Sequence, residues 1–325
     1  MSPVEQRHIE HEEVDWRFDR WVRHHYPSLG HGQLQKLMRT GQFRLDGKRV
    51  QGSERVQPGQ AVRVPPLPEP TSAPLPATRK PGLDAHDAKL ARSLVIHDDG
   101  EVLVLNKPPG LAVQGGTGTT RHVDGLLEAL AEGGDKPRLC HRLDRDTSGI
   151  LVTARTAKAA AFLTSAFRGH EVRKLYWAIV LGSPRGQDGL IDLALAKRGV
   201  VEKMAPDEEE GKPSRTRWRV IARAAKVAAW MGLMPLTGRT HQLRAHCAAM
   251  GWPILGDGKY GGKAAHPSGA PKFLMLHARE IDMPHPSGKR LRVAADIPPS
   301  FRDGMTWLGL APEPLPGSRL ADWPR

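Results

Sequence analysis

The densest group of side chains able to do chemistry in this 325-residue chain is CHRLDRDTSGILV, residues 140–152. His141, Arg142 and Arg145 crowd around Asp144, and the apolar run that follows has the composition of a buried strand. Ser148-Gly149 marks a tight turn at its start. Cations beside a carboxylate favour its charged form, so Asp144 is expected to be ionised at neutral pH. Such an Asp can act as a nucleophile, as a base, or as the structural partner of an arginine. Residue types alone leave all three open.

Two other groupings invite a chemical reading. His241, His246, Cys247 and Cys140 are zinc-ligand types, but their spacing fits no tetrahedral pattern, and no metal is expected. GGTGTT, residues 115–120, is glycine-rich but lacks the GK[ST] ending of a phosphate loop, so it reads as a flexible loop beside a substrate. His141 and His277 are expected to hold local structure. Two cysteines permit no disulfide framework and no CxxC redox motif.

The segments that must position Asp144 are mostly β-like. LVIHDDGEVLVLNKPPG reads as strand, Asp-Gly turn, strand, and HVDGLLEALAEGG as a short helix ended by Gly133. TAKAAAFLTSAFRG reads as a helix with Thr156 at its N-cap and Gly169 at C′. KLYWAIVLG, DGLIDLALAKRGVVEKM and TRWRVIARAAKVAAWMGLMPLTG read as strands, and GRTHQLRAHCAAMG as a helix ended by Gly251. HARE and GKRLRVAAD complete the strand set. Strands outnumber helices without alternating with them, which predicts an α+β fold and not a doubly wound sheet.

Upstream lies a compact unit, residues 14–64. Phe18, Trp21 and Val22 share one helical face, as do Leu34, Leu37 and Met38, and Gly41 closes the second helix. Asp46-Gly47 then joins two β-like runs as a hairpin. Ten Lys/Arg against four acids give this unit +6 of the chain's +13. Arg20, Lys36, Arg39 and Arg44 are expected to flank one basic helix face that attracts phosphates. Seven prolines in residues 65–81 predict an extended linker. A pI near 10.0 points to a polyanionic partner, RNA first and an anionic membrane surface second. The polar start and the absence of a long apolar run exclude a signal peptide and a membrane span, so a soluble, reduced, cytoplasmic protein is expected.

HRLDRDTSG resembles the catalytic signature of the RluA-type pseudouridine synthases. Four further segments resemble that family's motifs in order: NKPPGLAVQGG (106–116), KLYWAIVLG (174–182), LTGRTHQLRAHCAAMGWPILGDGKYG (236–261), and the pair FLMLHARE and MPHPSG. The upstream helix–helix–hairpin resembles an S4 RNA-binding domain, which suits the RluC/RluD-like branch acting on large-subunit ribosomal RNA. Two departures are small: Gln114-Gly115-Gly116 stands where the family often has His-Pro, and Cys140 where an aliphatic residue is common.

The resemblance implies an S4-like domain at 14–64, a linker at 65–88 and a catalytic domain at 89–312 with a mixed, mainly antiparallel central sheet flanked by helices. It implies Asp144 as the catalytic carboxylate, Tyr176 against the target base and helping the C5 proton away, and Arg239 as the ion-pair partner of Asp144. Arg142, Arg145, Leu243, Asn106 and Lys107 are the expected substrate contacts. Arg244, five residues after Arg239, is a second candidate cation and ranks below it. The isomerisation involves no redox change and no hydrolysis, so no cofactor is expected. The expected partner is ribosomal RNA, bound by a monomer. The same chemistry on transfer RNA, or a non-catalytic RNA-binding or ribosome-assembly role, are the alternatives.

Overall fold

The computed structural model describes all residues except 1–3, 68–83, 117–118, 120, 132, 170, 199–202, 226, 312–314 and 325. The chain folds as two units, Met1–Gly82 and Leu83–Arg325. Most of the Pro-rich segment lies outside the described residues.

In the first unit, α1 (Phe18–His25) and α2 (His31–Arg39) pack on a small antiparallel sheet. Its strands are β1 (Glu5–His8), β2 (Arg44–Leu45), β3 (Lys48–Arg49) and β4 (Ala61–Val64), in the order β1-β4-β2-β3. Asp46 and Gly47 both have positive φ, 48° and 74°, the twist a two-residue hairpin turn needs. Phe18, Trp21, Val22, Leu34 and Met38 bury their faces against Phe43, Val56 and Val62. The unit begins earlier than position 14. β1 is polar, and only its pairing with β4 makes it a strand.

Glu13 is buried in this unit and accepts from the Trp21 indole N–H at 2.8 Å and the Glu10 N–H at 2.9 Å, with His25 at its other oxygen. Burial pushes the carboxyl up, but these hydrogen bonds outweigh it and hold the group below its ordinary value. A carboxyl depressed in the folded state adds stability above its unfolded value, and that stability fades as pH falls through the folded value. Amides 18–25 are therefore expected to lose hydrogen-exchange protection on acidification below about pH 4.5. Glu13→Gln should flatten that dependence while lowering protection at neutral pH.

The second unit holds α3 (Ala85–Ser93), β5 (Val95–Asp98), β6 (Val102–Lys107), α4 (Val123–Leu126), β7 (Arg138–Leu139), β8 (Ser148–Ala154) and α5 (Ala157–Arg168). There follow β9 (Arg173–Leu181), β10 (Asp188–Asp192), β11 (Leu195–Arg198), β12 (Lys203–Pro206), β13 (Arg215–Ala224) and β14 (Ala228–Pro235). α6 (Gln242–Ala249), β15 (Leu276–Pro284), β16 (Arg290–Ala294) and α7 (Pro299–Trp307) complete it. The main sheet runs β10-β13-β14-β9-β15-β8-β6-β5, with β16 on β15 and β7 on β8. Its β8–β15 pair is parallel and every other strand pair is antiparallel. This is the mixed, mainly antiparallel sheet of an α+β fold.

Two apolar cores flank the parallel seam. One gathers β6, β8 and α5, the other β9, β14, α6 and α7, and Tyr176 packs against both. The seam itself is short, pairing His277 with Ser148 and Ala278 with Gly149. Gly149 has φ 105°, and a Cβ there would lie 2.2 Å from the Ala278 carbonyl oxygen, so no other residue fits.

Three boundaries differ from the sequence expectation. α3 begins inside the expected linker, capped by the Asp84 carboxylate on the Asp87 N–H. The domain continues past 312, because Leu320 and Trp323 are buried in the second core and the Ser318 carbonyl accepts from the Trp177 indole at 2.8 Å. Thr156 caps α5, but Gly169 closes it at φ −75° and not in a left-handed conformation.

Candidate active site

Asp144 sits on the loop between β7 and β8, where the Thr147 N–H donates to its carbonyl oxygen at 3.2 Å. Lys107, at the end of β6, lies fully buried under this loop. Its ammonium donates to the carbonyls of Pro108, Leu111 and Arg145 at 2.8–2.9 Å, one acceptor for each N–H. Burial pulls Lys107 down to about 7, against the pull of Asp146 and Asp144. Lys107 braces the Asp144 loop from beneath and does not line the cleft. Asn106 also points elsewhere, with its amide donating to the Asp296 carbonyl at 2.9 Å. Neither residue is among those that line the cleft around Asp144: both side chains are held by backbone carbonyls instead.

Across from Asp144, the turn between β14 and α6 carries GRTHQLR. Gln242 holds it by accepting from the Arg239 N–H and the Thr237 hydroxyl and donating to the Arg215 carbonyl. Nη1 of Arg244 stands 3.5 Å from Oδ2 of Asp144, and Nε2 of His241 stands 3.8 Å from Oδ1. Arg244 is itself fixed by a two-pronged pair with buried Asp257, Nε to Oδ2 and Nη2 to Oδ1, both 2.8 Å. Burial opposes the Arg244 charge, but Asp257 and then Asp144 outweigh it. The Tyr260 ring lies 5.2 Å below the guanidinium. The Tyr260 hydroxyl accepts from the Met204 N–H at 2.9 Å and shares a hydrogen bond of 3.0 Å with Nδ1 of His241.

The cation beside Asp144 is therefore Arg244, not Arg239. Arg239 precedes α6, and its Nε donates to the Pro213 carbonyl at the rim. Asp257 and Tyr260, from the GDGKY segment, are the further residues that residue-type reasoning left without a role. Their spacing within that segment was the available signal.

These groups border a cleft of about 560 Å³, a volume ordinary for a small-molecule site. Arg142, Arg145, Tyr176, Arg239 and Leu243 line it with Asp144. Burial and the Asp144 charge raise the Tyr176 phenol above its ordinary value, so it stays an O–H at neutral pH. His141 and His277 hold structure. Nε2 of His141 accepts from the Val152 N–H at 2.9 Å and burial lowers the ring to about 3. His277 donates to the Ala295 carbonyl and accepts from the Ser148 hydroxyl at 2.9 Å. The glycine-rich loop contributes Gln114 and Gly115 to the cleft, while residues 117, 118 and 120 lie outside the described ones.

The family model for RNA pseudouridylate synthase matches residues 101–249, which include Asp144, Tyr176 and Arg244. "Ribosomal large subunit pseudouridine synthase C" of Vibrio cholerae serotype O1 is 32% identical over 92% of this chain and 95% of its own. "RNA pseudouridine synthase 4, mitochondrial" of Arabidopsis thaliana is 33% identical over 88% of this chain and 75% of its own. Among solved structures, "Human RNA Pseudouridylate Synthase Domain Containing 4" superposes with a TM-score of 0.60 at 27% identity, covering 70% of this chain and 98% of that one. The fold, the cleft around Asp144 and these relatives agree: the chain belongs to the RNA pseudouridylate synthase family, enzymes that isomerise uridine to pseudouridine.

Proposed function

We propose that this enzyme modifies uridines of large-subunit ribosomal RNA, with Asp144 as the group that acts on the ribose and the N-terminal unit as an S4-type RNA-docking domain. The observation that carries the chemistry is the Asp144 carboxylate at the wall of a nucleoside-sized cleft, 3.5 Å from a guanidinium that is itself clamped by Asp257. A stacked uracil cannot reach that carboxylate, so the nucleotide is flipped out of the RNA at a cost of a few kcal/mol. Asp144 engages the ribose, the N1–C1′ bond breaks, and the uracil turns until C5 faces C1′. The C5–C1′ bond then forms, the C5 proton leaves and N1 takes up a proton, so the product is an isomer of the substrate. Tyr176 and Leu243 flank the base through this turn. A phenol kept as an O–H is a poor acceptor for the C5 proton, which assigns Tyr176 to packing and orientation.

The ribosomal substrate is supported by the names of the bacterial relatives. The docking role is supported by the two helices and hairpin of the first unit and by its exposed cations. Arg20 is on α1, stacked 4.3 Å over Trp16, while Lys36 and Arg39 are on α2 and Arg44 is on β2. These four span three elements, not one helix face. Reversing Lys36 and Arg39 to Glu is expected to weaken RNA binding about equally across sequences. The slope of log K against log salt should fall by about two, one per lost phosphate contact. A pseudouridine map of ribosomal RNA with and without the gene tests the substrate. A specific large-subunit loss is expected, and an unchanged map rejects it.

A further inference from the structure

A second cleft, of about 490 Å³, adjoins the first and shares Asp144, Arg145, His241 and Arg244 with it. Asp144 thus stands on the wall between two clefts. The outer walls of the second come from the turn at 256–259 and the segment 272–274 just before β15. These contribute Lys259, Lys272 and Phe273, and the anions of this cleft are Asp144 and Asp146.

Phe273 is 54% exposed, yet its backbone is firmly held. Gly256 has φ 78°, and a Cβ there would lie 1.9 Å from the Phe273 carbonyl oxygen, so the two strands of chain touch backbone to backbone. The Met275 N–H donates to the Leu255 carbonyl at 2.8 Å, and Leu274 is buried beside it. A single exposed apolar side chain is ordinary on a protein surface. An aromatic ring on a pinned backbone, in a cleft lined also by two lysines and Asp144, combines the two elements of a single-strand nucleic-acid site: a π-face for a base and cations for the backbone.

We infer that this second cleft binds the unpaired RNA next to the flipped uridine, with one neighbouring base stacked on Phe273 and the adjoining phosphates held by Lys259, Lys272 and Arg145. This rests on the proposed function, since it extends the uridine site along the same strand. It explains how the flipped state is held: the neighbour gains an aromatic face as the uridine leaves the stack.

Two measurements on the full chain test it. Fluorescence anisotropy with a labelled 12-nucleotide oligouridylate should show binding weakened by about fivefold or more in Phe273→Ala, the range a lost base–aromatic stack gives. Phe273→Tyr, which keeps the ring, should bind within twofold of wild type. Ultraviolet cross-linking to the same oligonucleotide carrying 5-bromouracil should place a cross-link in a peptide containing Phe273. Equal binding by Phe273→Ala, or cross-links confined to other peptides, overturns the inference. Neither measurement needs turnover, so tritium release by the wild-type enzyme judges the proposed function separately.

Discussion

Asp144→Asn is expected to release no tritium above background from RNA carrying 5-tritiated uridine, while still binding that RNA. The substitution keeps the side chain's shape and one acceptor oxygen but removes the charge that faces Arg244 at 3.5 Å and the nucleophilic or basic oxygen itself. Loss of a group that acts directly on the reacting atoms costs about four orders of magnitude or more in turnover. Binding should hold or tighten, because one negative charge leaves a site that meets phosphates. Tritium release and affinity measured on one preparation separate the two effects. Turnover within tenfold of wild type would remove Asp144 from the mechanism.

The second large effect concerns the clamp behind Asp144. Arg244→Met leaves buried Asp257 without its partner, and breaking one side of a buried pair costs about 3–5 kcal/mol. The Asp257→Asn, Arg244→Met double variant removes both charges, and the new amide oxygen can still accept from the Tyr260 N–H. Stability should largely return in urea titrations, but tritium release should not, because Asp144 still lacks its cation. Arg244→Lys should also fall far short of wild type, since a single ammonium cannot make two parallel bonds to Asp257 while facing Asp144. Arg239→Ala offers the contrast: a rim cation, its loss should appear mainly as weaker RNA binding. Recovery of turnover in the double variant would sink the role given to Arg244.

Much of this site was legible because its parts are local. HRLDRDTSG carries Asp144, and the apolar run after it is a strand whose seven residues are all buried. Asp46-Gly47 and Gly41 likewise announce their turns through φ requirements that few residues meet. The partner of Asp144 was not legible, because the choice between Arg239 and Arg244 depends on where α6 begins. Helical counting from Arg239 has no meaning when the helix starts at Gln242. The deciding contact, Asp257, is supplied thirteen residues beyond Arg244. β1 and the C-terminal tail escaped for a similar reason. EQRH has no apolar alternation, and Leu320 and Trp323 are buried only because β9 and β15 lie beneath them. Asn106 and Lys107 show the converse, motif residues whose side chains the structure ties to backbone, Lys107 under the Asp144 loop and Asn106 at the Asp296 carbonyl.

The seam between β8 and β15 divides the labour of this enzyme. Asp144 and its Lys107 brace come from one half-sheet, while Arg244 with its Asp257 clamp belongs to the other. Neither half by itself holds the ion pair: the Asp144 carboxylate meets the Arg244 guanidinium where two halves, stitched at two residue pairs, come into register. Gly149, the residue that permits so close a stitch, lies outside the cleft lining, yet it sets the distance between the two halves.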